Sequence, residues 1–384
     1  MRIALYHPWV YLKSGLERSL LEIARRSRHD WTIFTHHYDR EGTYPELNNF
    51  NVVQLDSSVS VERSFTQVMR ASLRIMKTDL PLEHFDALVV SSEGVGDFIN
   101  FRNHDRPVIA FCHTPLKIIH DHQSRDYYLQ NHPDVFLRYQ IFSTVFKLVD
   151  GAAWRYYSTV IANSQEVKNR ILRANLADDS KITIIHPGVD VANIKPSWQY
   201  EPYFLLPGRI MWQKNIQLGI QAFKKFKEQT DCPDFKLIVA GMVDEKSQPY
   251  LQELKDIADG ISGVEFIIEP ADQDLFALYE SSYAVLFTAR NEDWGIVPLE
   301  AMAFGKPVIS IARGGPLESV VDSQTGYLLE DDPTTFSKAM GDLAMNPSLV
   351  RDLGKSAYEH VQQFSWDRFV EEIDSLIEKT VKVS

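Results

Sequence analysis

Two glutamates, Glu292 and Glu300, flank the loop with the most suggestive chemistry in this sequence. Glu292 belongs to a polar loop after the apolar run 283–287, and Glu300 follows about one turn into a helix predicted over 296–304. The apolar run predicts a buried parallel strand, and open α/β sheets bind ligands beyond the carboxyl ends of such strands. The helix start offers free N–H groups to an anion. The carboxylates could be a glycosidase acid–base pair, acceptors for ligand hydroxyls, or only a helix cap and a solvated side chain.

A glycine turn farther upstream carries two cations. Gly208 follows a strand predicted over 203–206, and Arg209 and Lys214 stand on the loop after it. Arginine presents a planar fork to phosphate oxygens, and lysine presents a mobile point charge. The pair therefore suits a diphosphate, although two exposed loop cations are the plainer alternative.

Two candidates lie in the first half of the chain. Gly15 follows Ser14 at the start of a helix predicted over 14–28. Its N–H group could approach a phosphate, or Ser14 could simply cap the helix. His113 directly follows a strand predicted over 108–111, where it is either structural or a partner for a ligand. The polar stretch 117–128 is predicted to be a loop, and the side chains there that could contact a ligand are His120, His122, Arg125 and Tyr128.

These loops connect predicted strands and helices, which alternate along the chain in two successive series. A length of 384 residues suggests two domains. We predict an α/β protein with two Rossmann-like domains that face each other across a cleft. The first domain comprises 1–195 together with the last helix, 365–384, and the second comprises 196–364.

Composition excludes several classes of protein. The chain is 44% hydrophobic and 24% charged, as ordinary globular proteins are. A net charge of −12 argues against a nucleic-acid partner. The apolar run at residues 1–8 is too short for a signal peptide, and no run of about 18 apolar residues predicts a membrane span. Cys112 and Cys232 have no CxxC partner and favour a reducing compartment. We expect a cytoplasmic protein, with peripheral contact at the inner face of the membrane left open.

Basic residues nevertheless cluster on a helix predicted over 61–76. They are Arg63, Arg70, Arg74 and Lys77. Together with Lys117 and Arg125 they could receive an anionic acceptor or an anionic membrane surface, or they could form a solvated helix face.

Sequence patterns around these candidates resemble one family. The stretch Glu292-x7-Glu300, with Trp294-Gly295 inside it and Ala-Met-Ala-x-Gly-x-Pro-Val after it, resembles the signature of retaining GT-B glycosyltransferases of the GT4 family. Ser14-Gly-Leu-Glu-Arg resembles that family's first glycine loop, with a serine in place of one glycine. Phe111-Cys-His-Thr-Pro resembles its acceptor-side motif. The resemblance implies a GT-B fold whose C-terminal helix crosses back to the first domain.

The resemblance also implies roles for the candidates. Glu292 would meet the donor sugar, Glu300 the ribose, and His113 a sugar hydroxyl, while Arg209 and Lys214 would bind the diphosphate. Further donor contacts are implied for Gly15, Glu269, Asp293, Trp294, Gly295, Ile296 and Val297. The implied reaction is retaining transfer of a hexose to a glycan or lipid-linked acceptor hydroxyl, in polysaccharide or glycolipid assembly. UDP-glucose is the favoured donor and GDP-mannose the next.

Other interpretations stay open. Gly94-x-Gly96 is half of a dinucleotide fingerprint and would suit an NAD-dependent enzyme, but Ile99 stands where the third glycine belongs. A GT-B phosphorylase, a nucleotide-sugar epimerase or a non-catalytic sugar-binding protein would have the same fold. Asp272-Gln-Asp274 could hold a metal ion, but we interpret these acids as the cap of a helix. We therefore expect no metal and no cofactor, with the nucleotide sugar as a substrate.

Overall fold

The computed structural model describes residues 1–56, 59–61 and 65–383, apart from the side chain of Phe65. The chain divides into two compact units. Unit one is Met1–Pro187 with Asp367–Ser384, and unit two is Gly188–Trp366. The sequence predicts boundaries after residues 195 and 364, whereas the structure divides the chain after 187 and 366. The last helix belongs to unit one apart from its first residue, Trp366.

Among the described residues, nine strands belong to unit one and six to unit two. The strands of unit one are β1 Arg2–Tyr6, β2 Trp9–Val10, β3 Asp30–Thr35, β4 His37–Tyr38, β5 Asn51–Gln54, β6 Ala87–Ser92, β7 Val108–Cys112, β8 Tyr157–Ala162 and β9 Ile182–Ile184. Those of unit two are β10 Tyr203–Pro207, β11 Lys236–Gly241, β12 Val264–Ile268, β13 Ala284–Phe287, β14 Val308–Ile311 and β15 Gly326–Leu329.

The helices fall between these strands and after the last one. Those of unit one are α1 Gly15–Arg26, α2 Phe65–Ile75, α3 Lys117–His120, α4 His122–Asn131, α5 Phe136–Trp154 and α6 Gln165–Arg173. Unit two contains α7 Ile216–Gln229, α8 Gln248–Ala258, α9 Asp272–Ser281, α10 Ile296–Ala303, α11 Pro316–Ser319, α12 Pro333–Met345 and α13 Pro347–Val361. The last helix is α14 Trp366–Val383. None of the helices described is long and apolar enough to cross a membrane.

Each unit is built on a fully parallel sheet. The order is β5-β3-β1-β6-β7-β8-β9 in unit one and β12-β11-β10-β13-β14-β15 in unit two. Strands covered by helices on both faces need apolar side chains on both faces, so they form continuous apolar runs. Accordingly, every residue of β6, β7, β10 and β13 is buried. These are two Rossmann-like sheets, as the sequence predicts.

The strand order in both sheets reverses beside the first strand. The reversal lies between β1 and β6 in unit one and between β10 and β13 in unit two. Ligands of doubly wound sheets bind outside the carboxyl ends of the strands at this point. Gly15 follows β1, Arg209 and Lys214 follow β10, and Glu292 follows β13. The topology therefore puts these predicted residues at the ligand-binding edges of the two sheets.

The prediction of a loop over 117–128 is wrong. The structure has α3 and α4 there, and the Asp121 carboxylate caps α4 by accepting a hydrogen bond from the Ser124 N–H group at 2.8 Å. No residue of α4 is buried, so its sequence has none of the apolar periodicity that indicates a helix. The helix predicted over 61–76 is α2, whose described part begins at residue 65.

Candidate functional site

The turn after β10 is shaped by two glycines that are needed for different reasons. A Cβ at Gly241 would lie 1.9 Å from the Gly208 carbonyl oxygen, so β11 can approach this turn only with glycine there. Gly208 has φ +128°, a backbone conformation that favours glycine, yet a Cβ there would meet no atom within 4 Å. The Gly208 N–H group donates to the Ala240 carbonyl at 2.9 Å. Arg209 is exposed and has no ion pair among the described residues. The turn therefore presents an open backbone and an available cation.

Lys214 is tied to the end of β13 through its backbone and its side chain. The Thr288 hydroxyl donates to the Lys214 carbonyl oxygen at 2.7 Å. The ammonium group contacts Glu292, with 2.5 Å between Nζ and Oε2. The same ammonium group lies 5.9 Å from the centroid of the Phe287 ring. The next residue, Asn215, is buried in the left-handed conformation at φ 50° and donates to Asp331 at 3.2 Å. These contacts place the predicted diphosphate cation beside the predicted sugar-binding carboxylate.

The Glu292 loop rests on a backbone shelf formed by Gly314 and Gly315. A Cβ at Gly314 would lie 2.2 Å from the Glu292 carbonyl oxygen, and one at Gly315 would lie 1.9 Å from that of Trp294. Trp294 is buried, with its ring centroid 5.6 Å from that of Phe364. The Trp294 side chain therefore packs in the core and anchors the loop, and the predicted donor contact stays a prediction. Asp293, Ile296 and Val297 are partly exposed at the same corner.

Glu300 is held by a tyrosine that sequence analysis missed. The Tyr279 hydroxyl donates to Glu300 Oε2 at 2.7 Å. Tyr279 is fully buried, and its ring stacks on Phe304 with 5.6 Å between centroids and 6° between planes. Burial, followed by the charge of Glu300, raises the pKa of Tyr279 well above its usual value, so the hydroxyl remains a donor. Tyr279 therefore fixes one oxygen of the predicted ribose acceptor. Its sequence context does not distinguish it from an ordinary core aromatic residue.

Gly295 begins the helix that carries Glu300. It has φ +80°, and a Cβ there would lie 3.0 Å from the Phe287 ring and 3.1 Å from the Glu292 side chain. Glycine therefore lets the chain turn tightly from the Glu292 loop into α10.

Glu269 stands on the same edge of the sheet, at the end of β12. It is exposed with φ 52°, and its N–H group donates to the Gly241 carbonyl at 3.0 Å.

In unit one, Gly15 starts α1 with an unobstructed backbone. Ser14 caps the helix by accepting from the Leu16 N–H group, and its hydroxyl donates to the buried carboxylate of Glu17. Glu17 also accepts from the Leu12 N–H group at 3.2 Å, which anchors the preceding loop. A Cβ at Gly15 would meet no atom within 4 Å. The capping and the open glycine, which the sequence offers as alternatives, therefore occur together.

His113 is buried at the end of β7 and is tied to its neighbours. Its Nε2 lies 2.8 Å from the Ser91 hydroxyl, and its carbonyl oxygen accepts from Asn163 at 3.1 Å. Burial, followed by the nearby His7, lowers the pKa of His113 to about 3. The ring is therefore neutral near pH 7, and it can donate or accept a hydrogen bond but is a weak base.

The basic cluster borders a cavity of about 1150 Å³ in unit one. Arg70, Arg74 and Lys77 line it together with apolar side chains such as Val59 and Leu73. Arg63 lies outside the described residues. Lys117 and Arg125 stand on α3 and α4 and do not line this cavity, and Arg125 pairs with Asp126 at 2.8 Å. Two acids, Asp56 and Asp79, also line the cavity, so its walls combine three cations with two carboxylates and apolar side chains.

The structure explains the two glycines of the half fingerprint and corrects the predicted helix cap. A Cβ at Gly94 would lie 2.6 Å from Leu116 Cβ, and one at Gly96 would lie 2.8 Å from the Ser92 hydroxyl, so packing accounts for both glycines of the half fingerprint. Asp272 and Asp274 do not cap α9, since the cap residue is Ala271. They stand exposed in the first turn, where negative charge suits the helix dipole.

Two parallel Rossmann-like sheets are the architecture of the GT-B class, which includes glycosyltransferases. A family model described as Glycosyltransferase Family 4 matches residues 13–193, and one described as Glycosyl transferases group 1 matches 193–360. The chain belongs to this family of glycosyltransferases.

Curated relatives include several mannosyltransferases. Alpha-1,3/1,6-mannosyltransferase ALG2 of Homo sapiens is 36% identical over 177 residues, which are 44% of this chain and 42% of that protein. The match thus spans less than half the length of this relative, as it does for the mouse protein at 45%. ALG2 of Dictyostelium discoideum is 25% identical over 99% of this chain and 98% of that protein.

Solved structures share the fold at low sequence identity. HepE of Anabaena, solved in complex with UDP and glucose, has a TM-score of 0.72 and 19% identity, covering 100% of this chain and 99% of that one. Sucrose-phosphate synthase from Thermosynechococcus elongatus has a TM-score of 0.78 and 18% identity over 100% of both chains. At these identities the likeness supports the fold alone.

Proposed function

We propose that the protein transfers a mannosyl residue from GDP-mannose to an acceptor hydroxyl, with retention of the anomeric configuration. The observation that carries the proposal is the Lys214–Glu292 pair at 2.5 Å, on the edge of the sheet that also carries Arg209 and Glu300. In this proposal the pair joins the cation that binds the diphosphate to the carboxylate that binds the sugar. Of the two donors expected from the sequence, GDP-mannose is favoured because the relatives that match most of both chains are named mannosyltransferases.

In the proposed reaction the bond between the anomeric carbon and the diphosphate oxygen breaks, and the acceptor oxygen bonds to the same face of that carbon. The leaving phosphate takes the acceptor proton, so no protein nucleophile is required. Arg209 and Lys214 stabilise the negative charge that grows on the diphosphate. The N–H groups at the start of α10 act in the same direction.

The carboxylates and the histidine have separate tasks in this proposal. Glu300, with one oxygen held by Tyr279, accepts hydrogen bonds from the ribose. When the donor binds, Lys214 pairs with the diphosphate. Glu292 is then released from Lys214 and accepts hydrogen bonds from the hydroxyls of the donor sugar. His113, neutral because its pKa lies at about 3, binds a sugar hydroxyl and does not remove the acceptor proton.

The proposed acceptor is a glycan or lipid-linked glycan that carries an anionic group. The cavity of about 1150 Å³ supports this proposal, because its three cations, Arg70, Arg74 and Lys77, outnumber the two acids that also line it and stand beside apolar side chains. Cationic side chains bind a phosphate or carboxylate, and apolar walls bind a hydrocarbon or a sugar ring face.

The donor is tested by thermal unfolding with GDP-mannose, UDP-glucose, GDP and UDP. A ligand at 100 times its dissociation constant adds about 2.7 kcal/mol to the free energy of unfolding. We expect stabilisation by GDP-mannose and GDP. Stabilisation by the uridine compounds alone would overturn the choice of donor while leaving the transferase intact.

The reaction is tested by the release of GDP in the presence of alkyl glycosides as model acceptors. The one-bond coupling constant between the anomeric carbon and its proton in the product reports whether configuration is retained. GDP release that depends on the acceptor distinguishes a transferase from an epimerase. GDP release that requires inorganic phosphate would indicate a phosphorylase. An inverted product would refute the proposed same-face mechanism.

A further inference from the structure

Helix α5 has two opposite faces that are both apolar. Tyr139, Phe146 and Trp154 on one face are buried in the core of unit one. Leu137, Ile141, Val145 and Leu148 follow one another at intervals of four, four and three residues, which places them on a single stripe. With about 3.6 residues per turn, this stripe lies on the side of the helix opposite the buried face.

The side chains of the outer stripe are unusually exposed for apolar residues. The exposed fractions are 71% for Leu137, 62% for Ile141, 55% for Val145 and 72% for Leu148, and Phe136 at the helix start is 54% exposed. Single exposed apolar side chains are normal, but contiguous patches mark interaction surfaces. A surface helix without a partner normally has a polar outer face. The stripe therefore indicates that something apolar covers α5.

The charges around the stripe are cationic. Arg138 lies on one side of the stripe and Lys147 on the other, both exposed, and Arg155 follows the end of the helix. Neither Arg138 nor Lys147 has an ion pair among the described residues. The only acid within α5, Asp150, is buried on the opposite face and lies 2.9 Å from His120 Nε2. Asp134, in the turn before the helix, is the nearest exposed acid toward the N-terminus. This surface is thus positive in a chain whose net charge is −12.

We propose that the outer face of α5 docks on an anionic lipid surface, with the helix axis parallel to the membrane plane. Interfacial helices of this kind bury an apolar face about 5–10 Å deep while cations meet the headgroups. The stripe from Leu137 to Leu148 is about 17 Å long at 1.5 Å per residue, too short to span a bilayer but long enough to insert along the interface.

Charge favours a lipid surface over a second copy of the chain. A two-fold contact through α5 would bring the same surface of each copy together, so the cations Arg138 and Lys147 of one copy would face a surface that carries the same cations. Like charges at a contact oppose association, whereas anionic headgroups complement them. This inference concerns a surface of unit one and does not depend on the donor or the reaction proposed above.

The test is sedimentation of the full chain with vesicles of phosphatidylcholine, with and without phosphatidylglycerol. We expect binding that requires phosphatidylglycerol and weakens as NaCl rises from about 0.1 M to about 1 M, because screening shortens the Debye length from about 10 Å to about 3 Å. Ile141→Asp and Leu148→Asp should each reduce the partition coefficient at least about tenfold. The double substitution Arg138→Glu with Lys147→Glu should remove the phosphatidylglycerol dependence.

Met345→Asp is the matched control. Met345 is 68% exposed at the end of α12 in unit two, so this variant adds the same charge to an equally exposed apolar site elsewhere. It should bind vesicles as the wild type does, and all variants should keep the wild-type unfolding temperature because the altered side chains are exposed. Absence of vesicle binding, or binding unchanged by Ile141→Asp, would overturn the proposal. So would a wild-type dimer that Ile141→Asp dissociates, since a second copy would then cover the stripe.

Discussion

Lys214 and Glu292 form an ion pair in unit two, with 2.5 Å between Nζ and Oε2 and 21% of each side chain exposed. The two residues are 78 positions apart and follow different strands, β10 and β13. The family resemblance assigns them to different parts of one ligand, the diphosphate and the sugar. Because Lys214 and Glu292 already neutralise each other, each must give up the other when it binds its own part of the donor.

This exchange of partners predicts different consequences for the two single substitutions. Lys214→Ala should weaken GDP and GDP-mannose alike by about 1.5–3 kcal/mol, the usual contribution of a hydrogen bond to a charged group. Glu292→Ala should slow turnover while GDP affinity stays the same or rises slightly, because Lys214 no longer has a competing partner. Titration calorimetry with GDP and turnover with GDP-mannose measure the two effects.

Lys236→Ala provides a control for the loss of a lysine from an ion pair. Lys236 pairs with Glu265 at 2.8 Å, with 52% and 46% of the side chains exposed. Its removal should leave both ligand affinity and turnover unchanged. If Glu292→Ala weakens GDP as much as Lys214→Ala does, the partner exchange is wrong.

A second prediction concerns the hydroxyl of Tyr279, which donates to Glu300 at 2.7 Å. Tyr279→Phe keeps the ring stacked on Phe304 and removes only the donor. We expect GDP and GDP-mannose affinity to fall together by about 1 kcal/mol, roughly fivefold, because Glu300 loses its fixed orientation. Glu300→Ala should cost about 1.5–3 kcal/mol with both ligands.

The matched control is Tyr283→Phe, which removes another tyrosine hydroxyl of unit two that donates to a backbone carbonyl, that of Leu343, at 3.1 Å. It should lower the unfolding temperature without changing GDP affinity. A Tyr279→Phe variant that loses stability but binds GDP normally would show that the tyrosine serves the core and not Glu300.

The contrast between Tyr279 and Glu292 illustrates what the sequence could predict. Apolar runs predicted the buried strands, because helices cover both faces of each sheet. Polar residues directly after those runs identified Glu292, Arg209 and His113, since strand ends lie at one edge of a parallel sheet. The Tyr279–Glu300 contact could not be predicted, because a buried tyrosine on an ordinary helix has no local signal of its partner. Helix α4 was missed for a different reason: none of its residues is buried, so its sequence has no apolar periodicity.

The open backbone at Gly15 yields a third prediction. A Cβ at Gly15 meets no atom within 4 Å, so Gly15→Ala should fold with an unchanged or slightly higher unfolding temperature. If the Gly15 N–H group lies against the donor diphosphate, the added methyl group should nevertheless lower turnover about tenfold or more, as a misplaced phosphate does.

Gly151→Ala is the matched control, because Gly151 also has no atom within 4 Å of an added Cβ and lies within α5. Its substitution should raise stability by about 0.5–1 kcal/mol, the usual gain for alanine in a helix, without affecting turnover. Full activity of Gly15→Ala would exclude a close contact between this residue and the donor.

The fourth prediction concerns His113, whose pKa burial lowers to about 3. A histidine that stays neutral in the folded state is protonated first in the unfolded state. Folding stability should therefore fall as the pH drops from about 6.5 to about 3, by about 1.4 kcal/mol per pH unit for this group. His113→Gln should remove this part of the acid sensitivity, which chemical denaturation between pH 7 and pH 4 measures.

Turnover separates the two roles open to His113. If it only binds a sugar hydroxyl, His113→Ala should lose activity with little change in GDP affinity, and His113→Gln should recover part of it. In that case, turnover of the wild type should show no pH dependence near 6.5 that is lost in His113→Gln. Such a pH dependence, together with an inactive glutamine variant, would instead indicate a general base.

The last prediction is that turnover does not require a divalent metal ion. The leaving diphosphate carries a charge of about −2 to −3, and Arg209, Lys214 and the start of α10, with about half a positive charge, stand on loops at one edge of the sheet to balance it. Lys214 becomes available to the phosphates once Glu292 turns to the sugar, so the protein has its own counter-charges. Turnover measured after removal of metals, in excess EDTA, should therefore equal that in Mg²⁺. The double substitution Asp272→Asn with Asp274→Asn should leave turnover unchanged and lower only the stability of α9, because these exposed acids stand in its first turn, where negative charge suits the helix dipole. If EDTA abolishes turnover and Mg²⁺ or Mn²⁺ restores it only while Asp272 and Asp274 are intact, those two acids hold a metal, and the charge balance proposed for Arg209 and Lys214 is incorrect.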